Sequence, residues 1–213
     1  MHKEKHIGAV LRRKDAKETK DKIEIVEGKK YFLYFLYTGK TEDVNSNRGI
    51  SAFSKYVKNN FPYFQDGEIY KLQDLVLGGN KRVLELGLEA LAFGLVVFYV
   101  PKKEESKTWF AQIGKSAVNT VDHSQFTRVN TKQSEKLLGD KNLSKADIAF
   151  LDIRKTKSSI FACNSEFLPL LADKRKDIKK ILNYKILSNS KVAMERIMKN
   201  KNFSDLSYLF IKR

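Results

Sequence analysis

The sequence predicts an α+β protein: a mixed or mainly antiparallel sheet built from hairpins, with helices packed on it and a basic, helical C-terminal segment. Aromatic and β-branched runs alternate with amphipathic stretches, without the strict βαβ rhythm of a parallel sheet. Hydrophobic residues make up 42% of the 213 and aromatics 11%, enough for a packed core. Only three prolines and no Gly/Ser linker interrupt the chain. Residues 1–213 are therefore expected to form one α+β domain, with residues 166–213 as its basic, mainly helical C-terminal extension.

The segment KIEIVEGKKYFLYFLYTG (22–39) alternates on both sides of EGKK and predicts a β-hairpin. GISAFSKYVKNNF places Ile50, Phe53, Tyr56 and Val57 at helical spacing. GEIYKLQDLVLGG reads as a strand closed by Gly78 and Gly79. NKRVLELGLEALA then reads as a helix that Asn80 would cap, with Val83, Leu84, Leu86, Leu88 and Leu91 on its apolar face. FGLVVFYVP is a buried strand ended by Pro101, and KTWFAQIG and SQFTRVNT are shorter strands. ADIAFLDIRKTKSSIFAC reads as a second hairpin with RKTKS at its tip. The chain is helical from about Phe167 and closes on a strand, LSYLFIK. There is no internal repeat.

Several classes of chemistry find no support. The single cysteine, Cys163, rules out an intrachain disulfide, and with three histidines (His2, His6, His123) it cannot supply a zinc site of the usual spacing. The start of the chain, MHKEKHIGAV, has no apolar signal region, and no apolar run reaches transmembrane length. A cytoplasmic location is expected. Gly39-Lys40-Thr41 lacks the upstream glycine of a P-loop, since position 34 is Tyr. His123 lies beside Asp122, with no assignable nucleophile.

Charge is the strongest signal. Lys plus Arg is 41 against 25 Asp plus Glu, a net +16. Residues 170–213 hold twelve bases and four acids, so +8 of the +16 falls in the last fifth of the chain. Residues 61–100 run the other way, with three bases and five acids. On a helical wheel of residues 170–185, Leu171, Ile178, Ile181 and Leu182 form one stripe. Lys176, Lys179 and Lys180 lie opposite, with Asp173 and Asp177 on one flank and Arg175 on the other; Lys174, at the stripe itself, and Arg175 join them as candidate polyanion contacts. The next segment repeats the scheme with Arg196 and Lys199. Such rows suit a polyanion, because they can neutralise successive phosphates and release counterions. Arg154, Lys155 and Lys157 at the expected hairpin tip, and Arg12 and Arg13 near the chain start, could add groove or backbone contacts.

Within the acidic stretch, Asp66, Glu68 and Lys71 are the candidate catalytic residues, with Asp66 and Glu68 as metal ligands for Mg²⁺, the candidate cofactor. Their acid-x-x-lysine spacing differs from the acid-x-lysine of many metal-dependent nucleases. Asp147 and Asp152 with Lys155 form a second possible set. These observations together predict a DNA-binding enzyme of restriction or repair type acting on double-stranded DNA. It would be a DNA-acting hydrolase, a nuclease first and a glycosylase second, and a homodimer if its target is palindromic. The alternative is a non-enzymatic nucleic-acid-binding protein, a replication accessory or an RNA-binding module.

Overall fold

A computed structural model of the 213-residue chain describes residues 6–12, 21–39, 44–61, 70–87, 93–102, 107–122, 125–130, 133–154, 158–199 and 205–212. Among the described residues, ten strands form two five-stranded sheets: β1 (His6–Leu11), β2 (Lys22–Glu27), β3 (Tyr31–Gly39), β4 (Phe93–Pro101), β5 (Lys107–Ile113), β6 (Ala117–Val121), β7 (Phe126–Arg128), β8 (Ala149–Arg154), β9 (Ser159–Cys163) and β10 (Leu206–Ile211). One sheet runs β1-β10-β9-β6-β7 and the other β2-β3-β4-β5-β8, with every pairing antiparallel. Five α-helices cover them: α1 (Val44–Asn60), α2 (Tyr70–Leu84), α3 (Leu168–Asp173), α4 (Arg175–Leu182) and α5 (Leu187–Lys199). The α+β class expected from the sequence is the class observed.

Strand alternation sorts the apolar residues into three layers. Tyr34, Leu36, Val96, Phe98 and Phe110 meet Val118, Ile160, Ala162 and Leu209 between the sheets. Leu33, Phe35, Tyr37, Leu95 and Val97 point the other way, onto Ile50, Phe53 and Val57 of α1 and Leu72, Leu75 and Val76 of α2. On the far sheet, Phe161, Cys163, Tyr208 and Phe210 pack under Leu170, Ile178, Ile181, Leu182, Met194 and Met198 of α3, α4 and α5. β3, β4, β9 and β10 are buried on both faces, which is why their sequences read as near-continuous apolar runs. Among the described residues, no helix is long and apolar enough to cross a membrane.

Three elements differ from the expectation. Residues 70–84 are one helix, where a strand followed by a helix capped by Asn80 is predicted. Gly78 and Gly79 stop nothing: a Cβ on Gly78 would overlap the Tyr56 ring, and one on Gly79 the Phe53 ring, so both glycines let α2 lie close against α1. Asn80 sits inside the helix, donating to the Asp140 carbonyl at 3.0 Å and accepting from the Gly139 amide at 2.7 Å. Strand β6 is not among the strands expected from the sequence. Finally, β8 and β9 do not form a hairpin: β8 pairs with β5 in one sheet, and β9 with β6 and β10 in the other. The segment between them crosses from sheet to sheet.

Candidate functional site

The registers bring the start of β2, the end of β3, the β5–β6 crossover, the end of β9 and the start of β10 to one end of the sandwich. Polar side chains that the strands cannot bury elsewhere collect there, in two hydrogen-bonded groups.

The first centres on Asp21, just before β2, which is 5% exposed. Its Oδ1 accepts from the Gly39 amide at 3.1 Å, and its Oδ2 accepts from Asn164 Nδ2 at 2.7 Å and from Ser207 Oγ at 2.5 Å. Asn164 is itself fixed, donating to the Asp205 carbonyl at 2.8 Å and accepting from the Phe167 amide at 3.0 Å as the helical segment begins. One carboxylate thus ties β2 and β3 of one sheet to β9 and β10 of the other. Burial pushes the Asp21 pKa up to about 6; the Asp205 charge adds to that rise, and the bonds from Ser207, Gly39 and Asn164 oppose it.

The second group closes the β5–β6 crossover, where Gly114 takes φ +86°. Gln112 Nε2 donates to the Gly114 carbonyl at 3.1 Å and the Ser116 carbonyl at 2.7 Å. Asn130 Nδ2 donates to Gln112 Oε1 at 2.6 Å and the Ser116 carbonyl at 2.8 Å, and its Oδ1 accepts from the Val118 amide at 2.8 Å. Arg128, on β7, donates to the Asn130 carbonyl at 3.2 Å and the Ser116 carbonyl at 3.4 Å. Burial draws its guanidinium below the usual range, and Cys163 counters that. The Cys163 thiol is enclosed, and burial raises its pKa to about 12, so it is a packing residue and not a nucleophile at neutral pH. Lys115, at the crossover tip, pairs with Glu135 at 3.0 Å.

None of the sequence-predicted residues that the structure describes falls in these two groups. Asp66, Glu68, Arg13, Lys155 and Lys157 lie outside the described residues, as does His123. Lys71 is in the first turn of α2, Arg154 ends β8, and Arg12 follows β1. Asp74, near Lys71, is engaged by Lys145 at 2.5 Å, and Asp147 by Lys136 at 3.0 Å and the Ser144 hydroxyl at 2.6 Å. Glu85 follows α2 and pairs with Arg82 at 2.8 Å. Lys174 lies between α3 and α4; Arg175, Lys176, Lys179 and Lys180 are on α4, and Arg196 and Lys199 on the last turns of α5. Sequence reasoning missed Asp21, Gln112, Arg128, Asn130, Asn164 and Ser207. Asn164 carries a readable signal, a helix-start asparagine with Pro169 just inside α3.

Solved structures share this fold over nearly the whole chain. A bacterial serine phosphatase matches with TM-score 0.79 at 12% identity, covering 99% of this chain and 97% of that one. The PPM Ser-Thr phosphatase MsPP from Mycobacterium smegmatis, in complex with cacodylate, matches with TM-score 0.72 at 13% identity, covering 97% of both chains. RsbX in complex with magnesium matches with TM-score 0.69 at 11% identity, covering 96% of this chain and 92% of that one. No protein-family model matches the chain, and no curated protein sequence matches it. The fold is therefore that of PPM-type serine/threonine phosphatases.

These matches overturn the nucleic-acid expectation. Serine and serine/threonine phosphatases share the architecture, so a DNA-acting nuclease or glycosylase, a restriction or repair role, and a double-stranded DNA partner are all set aside. The physical reason is that net charge reports affinity for anions in general; it does not distinguish a nucleic-acid backbone from other phosphate-bearing molecules. Magnesium remains compatible as a cofactor, since RsbX of this fold is in complex with it. The described residues, however, bring no group of three or more His, Cys, Asp or Glu together to hold an ion. At the polar end, both oxygens of Asp21 already accept bonds from protein donors. The described side chains there do not fit a divalent-metal centre.

Proposed function

We propose that the protein recognises phosphorylated serine or threonine side chains of other proteins, using a serine/threonine phosphatase fold. One observation supports this above the rest: both sheets and the helices outside them follow a bacterial serine phosphatase over 99% of the chain. The described polar end favours recognition without hydrolysis, because both oxygens of its buried acid already accept bonds from donors of the protein itself. Hydrolysis is the second reading, favoured by the full-length overlap with named phosphatases and by the magnesium complex of RsbX, which shares the fold. The chain works as a single domain in this reading, supported by the apolar layer that contains residues from Ile23 to Ile211. A cytoplasmic setting suits the one, fully buried cysteine.

The test uses phosphoserine and phosphothreonine peptides with unphosphorylated controls, with and without Mg²⁺ or Mn²⁺. Phosphate-dependent binding without phosphate release supports the first reading. Metal-dependent release supports the second. Neither binding nor release under any condition overturns both.

A further inference from the structure

β7 is the outer strand of its sheet, and its Arg128 has donors beyond the two bonded in the crossover group. Phe126 and Arg128 lie on the face of β7 that meets α3–α5, two residues apart and so side by side. Arg128 uses Nε and one Nη2 proton on the Asn130 and Ser116 carbonyls, which leaves most of its fork open. Directly across the strand pair stands Asn119, 5% exposed, whose Nδ2 donor has no partner. From α4, Arg175 donates to the Phe126 carbonyl at 2.7 Å, with its guanidinium carbon 6.0 Å from the centre of the Phe126 ring. Among the described residues, neither arginine is paired with a carboxylate.

Cross-strand partners stand about 5 Å apart between Cβ atoms, so Arg128 and Asn119 present adjoining donors to the same space. A half-buried guanidinium and a buried amide donor, both short of acceptors, leave desolvation uncompensated; an acceptor-only anion supplied from outside would complete them. Water could satisfy Asn119, but it would not balance the arginine charge. Exposed Lys176 and Lys180 lie farther along α4 and would favour acidic residues flanking the anion.

We infer that Arg128, Asn119 and Arg175 form a seat for the phosphate group of a phosphorylated protein segment, docking along β7 and the start of α4. This rests on the phosphoprotein reading above and names the surface that would do the recognising. It also gives a role to the basic α4 face, within a protein–protein contact.

The test measures binding of a fluorescent phosphothreonine peptide with acidic flanks to the full chain by anisotropy. Arg128→Lys, which keeps the charge but removes the planar fork, and Arg175→Ala, at an exposed position, are each expected to weaken binding roughly tenfold, the loss of a charge-assisted hydrogen bond. Arg82→Ala, on α2 and paired with Glu85, is expected to leave binding unchanged. Wild-type-like binding by both the Arg128 and Arg175 variants overturns the seat while leaving the phosphoprotein reading standing. A separate readout covers the case in which no peptide binds. The Arg128 Nε–H resonance, assigned by its loss in Arg128→Lys, is followed by NMR as inorganic phosphate is added. A saturable shift supports the seat; no shift overturns it, whatever the peptide does.

Discussion

Replacing Asp21 by asparagine should change how stability depends on pH, with little effect on overall shape. The native pKa of about 6 stands above the ordinary 3.8, so the folded protein holds this proton more tightly than the unfolded chain does. Between about pH 4 and pH 6 the native state therefore binds more protons than the unfolded state, and stability falls as pH rises through that window. A displacement of about two pKa units corresponds to about 3 kcal/mol, fully present below about pH 4 and lost by about pH 7. Asparagine cannot titrate. It also cannot reproduce the bonding, since Asp21 accepts from Gly39 on one oxygen and from Asn164 and Ser207 on the other. Whichever way the amide is turned, its Nδ2 meets an N–H donor, at a cost of about 1–3 kcal/mol. The variant should therefore be less stable than the wild type near pH 4, and the gap should close by about 3 kcal/mol as pH rises to 7.5. Urea unfolding of both proteins at half-unit pH steps measures it, and the difference between the two curves removes the background from all other acids. Parallel curves across the window would refute the account of Asp21 as a buried, proton-holding acid.

The other expectations concern packing and local hydrogen bonds. Gly79→Ala places a methyl group against the Phe53 ring between two helices, and should lower stability by about 1–3 kcal/mol through overpacking; an unchanged melting temperature would contradict the close α1–α2 approach. Asn80→Ala leaves the Asp140 carbonyl and the Gly139 amide without their partner, and should cost about 2–4 kcal/mol, read as a lower urea midpoint at constant slope. Asp147 is held down to about 2 by the Ser144 hydroxyl first, then by Lys136 and the Ser144 amide. Its contribution to stability is therefore present above its unfolded value and lost as pH falls through about 2. Ser144→Ala should raise the Asp147 pKa towards the ordinary carboxylate range in an NMR titration, and an unmoved value would show that the hydroxyl is not the cause.

Much of the fold is legible in the sequence because the pattern carrying it is local. The β2–β3 hairpin, α1, β4 and β10 follow from alternation, helical spacing and apolar runs within single segments. What cannot be read locally is which sheet a strand joins. β8 and β9 flank a turn-like RKTKS and resemble a hairpin in every local respect, yet they pair in different sheets, because Ile153 and Ile160 both point into the layer between the sheets. The glycine pair in α2 misleads for a similar reason: its cause is the ring of another helix, 22 or more positions away in sequence. The candidate site is harder still. Asp21, Asn164 and Ser207 are separated by up to 186 positions, and each alone is an ordinary polar residue at a strand end. The charge count, by contrast, is plain in the sequence and still does not name a partner. It sums contributions without saying which cations lack a carboxylate; Arg128 and Arg175, less conspicuous than the lysine rows, donate to backbone carbonyls.

Identity of 11–13% with structures that superpose over nearly the whole chain fits this division of labour. Apolar layers tolerate wide exchange as long as volume and alternation are kept, so the sandwich persists while sequence drifts. The polar residues at strand ends are under no such averaging: one carboxylate there ties four strands across two sheets, and its surroundings decide whether its oxygens are open to an ion or taken up as a structural tie. Here three protein donors occupy both oxygens of Asp21, so it serves as the tie. On the seat inferred above, anion recognition instead falls to the donors Arg128 on β7 has to spare and to the unpartnered Asn119 amide on β6, with Arg175 of α4 beside them.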